Sequence, residues 1–407
     1  MRVFCAVRHS QDPGQYYGRL WSANFYPALR ELGHEIVESQ VDLLPASRFM
    51  GVATDFTPEE LEVRARITEQ ILEEVRTAHK KSPVGLFLSY FYNAHFDPAG
   101  FEELRRLGIL SINFYCNSIY QFAEVATIAA KVDFSWHAER DAASSYTAVG
   151  ALPVWVQMGA DPQSYHPASE IAPVPKACFV GQRYADRDRW LAALVRAEMP
   201  LDIFGAGWGA AQAGTASNPP QVEETYMGRK QSVPGSRAAY LTAFLDTMRR
   251  EGPWRGAGRV LRQLRYRKET QQLTPLLAAH ARGSVPFKTM IEIFSSYQVC
   301  LNLSNVWADG QPGSPLIPHV RLRDFEAPMC RACYLTGHTE EIAQFYKVGV
   351  EIDTYRSESE LLDKTRYYLT HPEVAEKMRE AGYRRALRDH TWTRRFQELF
   401  AKTGLSS

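Results

Sequence analysis

Residues 318–336 read Pro-His-Val-Arg-Leu-Arg-Asp-Phe-Glu-Ala-Pro-Met-Cys-Arg-Ala-Cys-Tyr-Leu-Thr. This pattern predicts a loop, a short helix around 325–329 and a buried strand over 332–336. Arg321, Arg323 and Glu326 lie where the loop meets the helix. A helix N-terminus attracts anions, arginines pair with phosphate oxygens, and a carboxylate can accept hydrogen bonds from a ribose. The stretch therefore suggests a nucleotide site, and the alternative is an ordinary loop–helix corner with solvated arginines.

The chain before this stretch alternates between short apolar runs and amphipathic segments. Such alternation predicts a parallel sheet with helices on both faces. We predict strands at 1–7, 34–39, 84–92, 109–116, 132–136 and 153–156, with helices at 20–32, 58–79, 98–107, 119–130 and 139–148 between them. These elements form one doubly wound α/β domain, assigned to residues 1–163.

A proline-containing linker at 157–175 separates this domain from a second one, assigned to residues 164–390. The βα pattern restarts there, with strands predicted at 177–180, 201–205, 298–304, 332–336 and 349–352. Helices are expected at 186–197, 286–295, 339–346, 357–370 and 372–388. Residues 209–284 break the alternation and are interpreted as an insertion that is helical and basic in its second part.

Composition limits the function. The 407 residues carry a net charge of +1, so bulk charge predicts no nucleic-acid partner. No apolar run approaches the roughly 20 residues that span a bilayer. The N-terminus is expected to be a first strand, not a signal peptide. Of the six cysteines, Cys330 and Cys333 form a lone Cys-x-x-Cys without the second pair that a zinc site needs. We expect Cys330 and Cys333 to be a buried, reduced pair, with a redox role as the alternative. This use of cysteine suggests a cytoplasmic location for the protein.

Several motifs in the second half resemble a known family by their order and spacing. They are Phe179-Val-Gly-Gln-Arg-Tyr-Ala-Asp-Arg187, Leu201-Asp-Ile-Phe-Gly-Ala-Gly-Trp208, Asn302-Leu-Ser304, Arg323-Asp-Phe-Glu326, Cys330 to Thr336, Tyr368-Leu-Thr-His-Pro372 and His390-Thr-Trp-Thr-Arg-Arg395. Together they are similar to the CgeB-like, GT-B type glycosyltransferases. The resemblance covers roughly 80–405 well and 1–80 loosely.

The resemblance implies two Rossmann-like domains facing across a cleft. The C-terminal domain would bind the nucleotide sugar, the N-terminal domain the acceptor, and a last helix within 391–407 would cross back onto the N-terminal domain. This chain departs from the family pattern at two positions: Pro318 replaces a frequent glutamate, and Arg331 replaces a glycine. Arg331 could add a phosphate ligand or point to solvent.

Transfer from a nucleoside diphosphate sugar requires stabilisation of the leaving pyrophosphate. The expected donor is a UDP or dTDP sugar. No metal ion is expected, because no Asp-x-Asp pair lies in an obvious strand-end loop. Arg187 is a further phosphate candidate. The donor-binding residues that we predict are Gly181, Arg183, Gly207, Trp208, Asn302, Ser304, Arg321, Arg323 and Glu326.

The proton acceptor is predicted to be His95, which follows an apolar strand and should lie at the carboxyl edge of the first sheet. Asp97 could orient it or replace it, and it could equally cap the next helix. His9 and Asp12 are alternatives. A transfer that retains configuration would need no strong base.

The basic stretch 249–268 contains eight arginines and lysines against one glutamate, Glu251, and Glu269 follows directly after it. It could be a solvated face, a contact for anionic lipid or a lipid-linked acceptor, or a site for an acidic acceptor. Three functions are considered. The first is a cytoplasmic glycosyltransferase, with peripheral membrane contact as an option. The second is a nucleotide-sugar epimerase or hydrolase on the same scaffold, and the third is a non-catalytic nucleotide- or glycan-binding module.

Overall fold

The computed structural model describes residues 1–7, 16–169, 171–209 and 253–405, including all their side chains except those of 16–23 and 253–256. Contacts within the chain divide it into two units. The first contains the described residues from Met1 to Asp161 and again from Trp392 onwards. The second contains the described residues between Pro162 and Thr391.

The first unit is a six-stranded parallel sheet in the order β2-β1-β3-β4-β5-β6. Its strands are β1 (Arg2–Ala6), β2 (Glu35–Glu38), β3 (Leu86–Ser89), β4 (Leu110–Tyr115), β5 (Phe134–His137) and β6 (Pro153–Trp155). Its helices are α1 (Tyr16–Glu31), α2 (Leu44–Ser47), α3 (Pro58–Lys81), α4 (Gly100–Arg106), α5 (Ser118–Gln121), α6 (Ala126–Ala129) and α7 (Ala143–Ala148).

Local sequence explains the clearest of these elements. Helix α3 begins at Thr57, whose side chain accepts from the Glu60 backbone while the Glu60 side chain accepts from the Thr57 backbone, a complete capping box. All four residues of β3 are buried, as the apolar run predicts for a strand covered on both faces. The helix expected at 119–130 is instead broken into α5, a 3-10 turn at Phe122–Glu124 and α6.

The second unit is also a six-stranded parallel sheet, in the order β14-β13-β10-β7-β8-β9. Its strands are β7 (Val174–Val180), β8 (Leu201–Phe204), β9 (Ala281–Gly283), β10 (Tyr297–Asn302), β13 (Tyr334–Gly337) and β14 (Asp353–Tyr355). Its helices are α8 (Arg187–Arg196), α9 (Pro253–Ala278), α10 (Phe287–Ser296), α11 (Arg323–Met329), α12 (Ile342–Phe345), α13 (Glu358–Thr370) and α14 (Pro372–Asp389).

Three expectations for this unit were wrong. The strand predicted at 349–352 lies at Asp353–Tyr355, because the chain first turns at Gly349, whose φ is +79°. The loop 305–320 contains an antiparallel hairpin of β11 (Val306–Trp307) and β12 (Leu316–Ile317). Strand β7 begins at Val174, inside the predicted linker.

The last helix, α15 (Trp392–Thr403), belongs to the first unit, as expected for a helix that crosses back. Phe25 of α1 contacts the rings of Trp392 (4.8 Å between centroids) and Phe396 (5.3 Å). Trp136 of β5 contacts the same two rings at 6.0 and 5.5 Å. The core of the first unit is therefore built from both ends of the chain.

Candidate functional site

Arg187 lies at the carboxyl edge of the second sheet, where ligands bind in open α/β folds. It is the first residue of α8, directly after the loop that follows β7. Its Nε donates to the Leu303 carbonyl at 2.9 Å and one Nη donates to the Gln182 carbonyl at 2.8 Å. These contacts fix the guanidinium beside the ends of two neighbouring strands, β7 and β10.

The electrostatic environment of Arg187 is strongly positive. Burial, and then the positive charges of Arg321 and Arg323, lower the pKa of Arg187 to about 10. Three guanidinium groups therefore converge at this edge closely enough to oppose one another's charge. A bound anion would relieve that repulsion, and guanidinium groups match the oxygens of a phosphate.

Glu326 lies one turn into α11 and is only 2% exposed. Its Oε2 accepts from Arg323 Nη1 at 2.9 Å, and its Oε1 accepts from the Tyr165 hydroxyl at 2.6 Å. Because both oxygens already have partners, a ribose that bound Glu326 would have to displace or share one of them. The predicted ribose contact therefore requires the Tyr165 hydroxyl or the Arg323 guanidinium to move.

Asp324 is a residue of this corner that the sequence reasoning missed. It is 1% exposed and accepts from Asn302 Nδ2 (3.2 Å), the Tyr334 hydroxyl (3.0 Å), Thr336 Oγ1 (3.1 Å) and the Arg321 backbone N–H (2.7 Å). Burial raises the pKa of Asp324 even against these four donors. Asn302 is thus part of the network that holds the start of α11, which is a positioning task and not the predicted donor contact. The sequence feature that could have identified Asp324 is its position as an acidic residue in the first turn of α11.

The loops that follow β7 and β8 pack closely together, and Gly181 and Trp208 are in contact there. Trp208 is fully buried and its Nε1 donates to the Gly181 carbonyl at 2.7 Å, so its indole is a core group, which is the alternative that the sequence left open beside packing on a nucleotide base. Gly205 shows how close the backbones lie: a Cβ there would be 2.2 Å from the Gly181 oxygen. Gly181 and Gly205 therefore allow the backbones of these two loops to approach closely.

Arg183 does not lie free for phosphate as we predicted. Its guanidinium donates to Thr274 Oγ1 at 2.8 Å and to the Thr270 carbonyl of α9, and it pairs with Asp188 at 3.2 Å. Gly207, with φ at +86°, lies against it, since a Cβ there would be 3.1 Å from the Arg183 Cβ. Arg183 therefore anchors α9 to the sheet. Ser304 is 4% exposed, just beyond β10.

His95 is completely buried in the first unit. Its Nδ1 accepts from the Tyr92 backbone N–H at 3.3 Å, and its Nε2 lies 3.0 Å from Ser47 Oγ. A general base must reach the proton that it removes. With no exposed surface, His95 packs α2 against the loop after β3. It could act as the base only if these elements moved apart.

Asp97 lies in the turn before α4, whose N-cap residue is Ala99 and has no side-chain cap bond. Its Oδ1 accepts from the Ala99 backbone at 3.0 Å, and its Oδ2 lies 3.7 Å from an Arg64 guanidinium nitrogen. The two alternative bases, His9 and Asp12, lie outside the described residues.

Glu124 is an acidic side chain at the carboxyl edge of the first sheet that the sequence did not single out. One oxygen accepts only a long 3.5 Å hydrogen bond from Gln121, and Oε2 is buried with no partner among the described residues. Burial raises its pKa to about 7. The sequence predicted a continuous helix over 119–130, which placed Glu124 in the middle of that helix. In the structure Glu124 instead ends the 3-10 turn between α5 and α6.

The two departures from the family pattern have structural explanations. Arg331 has φ at +61°, a conformation that glycine adopts readily, and its guanidinium pairs with Glu376 and Glu380 of α14. Its side chain is therefore neither a phosphate ligand nor directed only to solvent. Pro318 is exposed in the loop after β12.

The Cys-x-x-Cys pair is inert. Cys330 and Cys333 are both fully buried with free thiols, and burial raises the pKa of each. A reactive cysteine needs an accessible thiolate, which burial opposes. Within the ranges that the structure describes, no three His, Cys, Asp or Glu side chains group as a metal site would require.

The described part of the basic stretch 249–268 is partly neutralised. Arg262 pairs with Asp309 at 3.5 Å, and Arg265 pairs with Glu269 at 3.1 Å. Leu261 and Leu264 on the same helix are 67% and 55% exposed. Arg249 and Arg250 lie outside the described residues. None of the helices that the structure describes has the length and apolar character needed to cross a membrane.

Comparisons with known proteins agree with this architecture. Residues 237–401 match the family described as glycosyl transferase-like. Sucrose-phosphate synthase from Thermosynechococcus elongatus is 12% identical, covers 99% of both chains and superposes with a TM-score of 0.55. Anabaena HepE in complex with UDP is 11% identical over 99% of this chain and 100% of its own, with a TM-score of 0.55.

A third structure, AviGT4, a glycosyltransferase involved in avilamycin A biosynthesis, is 15% identical over 99% of this chain and 98% of its own, with a TM-score of 0.53. A search of curated proteins finds no match. At these identities the likeness shows the fold alone. The chain has the fold of two Rossmann-like domains that these GT-B glycosyltransferases share.

Proposed function

We propose that the chain is a glycosyltransferase that moves a sugar from a nucleoside diphosphate sugar to an acceptor hydroxyl. The observation that carries this proposal is the convergence of Arg187, Arg321 and Arg323 at the carboxyl edge of the second sheet. Burial, and then repulsion from Arg321 and Arg323, lower the pKa of Arg187 to about 10. The match of residues 237–401 to a glycosyl transferase-like family supports the same reading.

In this function the three arginines stabilise the diphosphate as it leaves. Negative charge grows on the phosphate oxygens as the sugar–oxygen bond breaks, and preorganised cations lower the energy of that state most. The buried Glu326 would hold the ribose once it gives up one present partner. Arg323 links the two tasks, because its guanidinium bonds Glu326 and belongs to the positive cluster.

UDP is the nucleotide that we expect first. Structures of Anabaena HepE with UDP and with UDP-glucose share this fold. dTDP remains the second expectation from the sequence. Membership of the CgeB-like subfamily, transfer without a metal ion, a cytoplasmic location and the predicted domain limits at 163 and 390 stay predictions.

We also propose a surface on α9 for an acceptor or another partner. The exposed Leu261 and Leu264, between arginines of α9, are suited to contact with an anionic membrane or an acidic acceptor. The salt bridges of Arg262 and Arg265 reduce the positive charge available for this.

Thermal-shift measurements with UDP, dTDP, GDP, ADP and CMP test the donor site. We expect one uridine or thymidine diphosphate to raise Tm, and the Arg187→Ala variant to lose most of that shift, since a charged hydrogen bond to phosphate contributes about 2 kcal/mol. Arg366→Ala, an exposed arginine on α13, is the matched control and should keep the shift.

If no nucleotide stabilises the wild-type protein, or if Arg187→Ala responds as the control does, the donor site is misplaced. Product analysis with a labelled sugar nucleotide then separates transfer from epimerisation or hydrolysis, and from a module that only binds.

A further inference from the structure

A cavity of about 370 Å³ lies in the second unit, between α8, α9 and the β11–β12 hairpin. This volume falls within the range of small-molecule sites, roughly 300–1,000 Å³. Its charged and aromatic lining residues are Asp186, Asp188, Arg189, Arg262, Arg265, Tyr266, Glu269 and Trp307. We call it the hairpin cavity.

The walls of the hairpin cavity are tightly joined. Gly313 of the hairpin lies so close to α9 that a Cβ there would be 2.8 Å from the Arg262 carbonyl oxygen. On the other side, Arg183 ties α9 to α8 through Thr274 and Asp188. The cavity is therefore held in shape by direct contacts between the elements that form it.

The charges around the hairpin cavity balance. Three carboxylates and three guanidinium groups line it. Glu269 pairs with Arg189 at 3.2 Å and with Arg265 at 3.1 Å, and Asp188 pairs with Arg183. A lining of zero formal charge favours a neutral ligand over a phosphate or a cation.

Asp186 is the polar group with unused bonding capacity. It is 8% exposed, and its Oδ2 accepts from Trp190 Nε1 at 2.7 Å and from Asn305 Nδ2 at 2.8 Å. Its Oδ1 is buried without a hydrogen-bond partner among the described residues. Such an oxygen is costly to leave unpaired, so a ligand hydroxyl that donated to it would gain more than an ordinary hydrogen bond. Because this oxygen is buried, the ligand must displace neighbouring side chains to reach it.

The backbone beside Asp186 is held in an uncommon conformation. Ala185, which also lines the cavity, is buried and has φ at +53°. A non-glycine residue in this region costs free energy and is found most often where the surroundings require a particular side-chain direction. Here the constrained residue directly precedes Asp186, which carries the unpaired oxygen.

Aromatic rings supply the apolar part of the cavity. The Trp307 ring centroid lies 5.3 Å from that of Tyr266 and 4.4 Å from that of Tyr184. Burial and the nearby Asp188 raise the pKa of Tyr266 to about 12, so its hydroxyl keeps its proton at neutral pH. Aromatic ring faces suit the C–H groups of a sugar, and carboxyl and hydroxyl groups suit its oxygens.

We propose that the hairpin cavity binds a neutral sugar ring, with one sugar hydroxyl donating to Asp186 Oδ1 and the ring lying against Tyr266 and Trp307. This inference rests on the proposed glycosyltransferase function. The ring belongs to the donor or to a glycan acceptor, and the two sources share the chemistry that the cavity recognises.

Isothermal titration with separate probes tests the cavity and identifies the source. UDP reports on the donor site alone, UDP-glucose adds a donor sugar, and glucose, maltose and cellobiose represent an acceptor. We expect either UDP-glucose to bind more tightly than UDP, which indicates the donor, or one free saccharide to bind, which indicates the acceptor. Asp186→Asn should weaken that sugar-dependent binding about tenfold and leave the Kd for UDP unchanged.

Two further variants keep the result interpretable. Tyr266→Phe keeps the ring and removes one hydroxyl, so it should weaken sugar-dependent binding a few-fold at most. Asp363→Asn, an exposed acid-to-amide change on α13, is the matched control and should bind every probe as the wild type does.

The inference is overturned if UDP-glucose binds no better than UDP and no saccharide binds at 20 mM. It is also overturned if Asp186→Asn retains the full sugar-dependent affinity. If neither UDP nor any other nucleotide of the thermal-shift panel binds the wild-type protein, the proposed function fails instead, and the free saccharides still decide the cavity.

Discussion

Replacing Glu124 by glutamine should stabilise the first unit at high pH and have little effect at low pH. Burial raises the pKa of this carboxyl from 4.5 to about 7. Below pH 4.5 it is protonated in both the folded and the unfolded chain and contributes nothing to the pH dependence. Between 4.5 and 7 the unfolded chain releases the proton first, so stability falls as pH rises, and above 7 the full cost is present.

The size of the effect follows from the difference between the two pKa values. At 1.36 kcal/mol for each pKa unit, a rise from 4.5 to about 7 corresponds to about 3 kcal/mol. Glutamine has nearly the same shape and no charge, so it removes this cost. For a unit of this size we expect the Tm of Glu124→Gln to exceed that of the wild type by roughly 6–12 °C at pH 8.5, with little difference at pH 4.5.

Thermal unfolding followed by circular dichroism from pH 4.5 to 8.5 measures this difference. Glu102→Gln, an exposed carboxylate on α4 of the same unit, is the control. A Tm difference that does not change with pH would show that the Glu124 carboxyl is solvated when folded, and the reasoning from its unpaired oxygen would fail.

Four further substitutions probe other features. Gly205→Ala should destabilise the second unit by more than about 3 kcal/mol, because a Cβ there would lie 2.2 Å from a carbonyl oxygen. Gly349→Ala, with φ at +79° and open space, should cost only about 1 kcal/mol, and equal urea midpoints for the two would contradict this. Asp324→Ala should cost about 4 kcal/mol in urea unfolding, since it removes the acceptor that four donors share; a loss under 1 kcal/mol would show that water replaces the carboxylate. His95→Gln should lower Tm while kcat stays within about threefold of the wild type, and a loss of a hundredfold or more would restore His95 as a catalytic group.

The fold followed from sequence wherever burial on both faces dictated an apolar run. Strands β3, β4 and β10 were placed within two or three residues because a central parallel strand has few other compositions. Edge strands carry a weaker signal. Strand β14 was misplaced because Val350, which is 45% exposed, gave its predicted strand an apolar character that the structure uses in a turn.

The site followed less well than the fold, because residue type does not reveal how a side chain is partnered. Arg183 and Arg187 are equivalent candidates in sequence. In the structure Arg183 is bound to α9, an element whose position only the tertiary fold sets, while Arg187 stays at the sheet edge. Trp208 was similarly ambiguous, and only the 2.7 Å bond to the Gly181 carbonyl assigns it to the core. Glu124 required knowledge of where a helix breaks.

The position of α15 has a consequence for how the chain is made. Trp392 and Phe396 complete the aromatic core around Phe25 and Trp136, yet they are translated after the whole of the second unit. Domains generally fold as units, with the N-terminal one first during synthesis. Here the unit that is translated first is the last to be finished, and until then it exposes the rings that α15 will cover. A nascent chain that ended at Thr391 could close its second sheet and would still present an unfinished first one to chaperones.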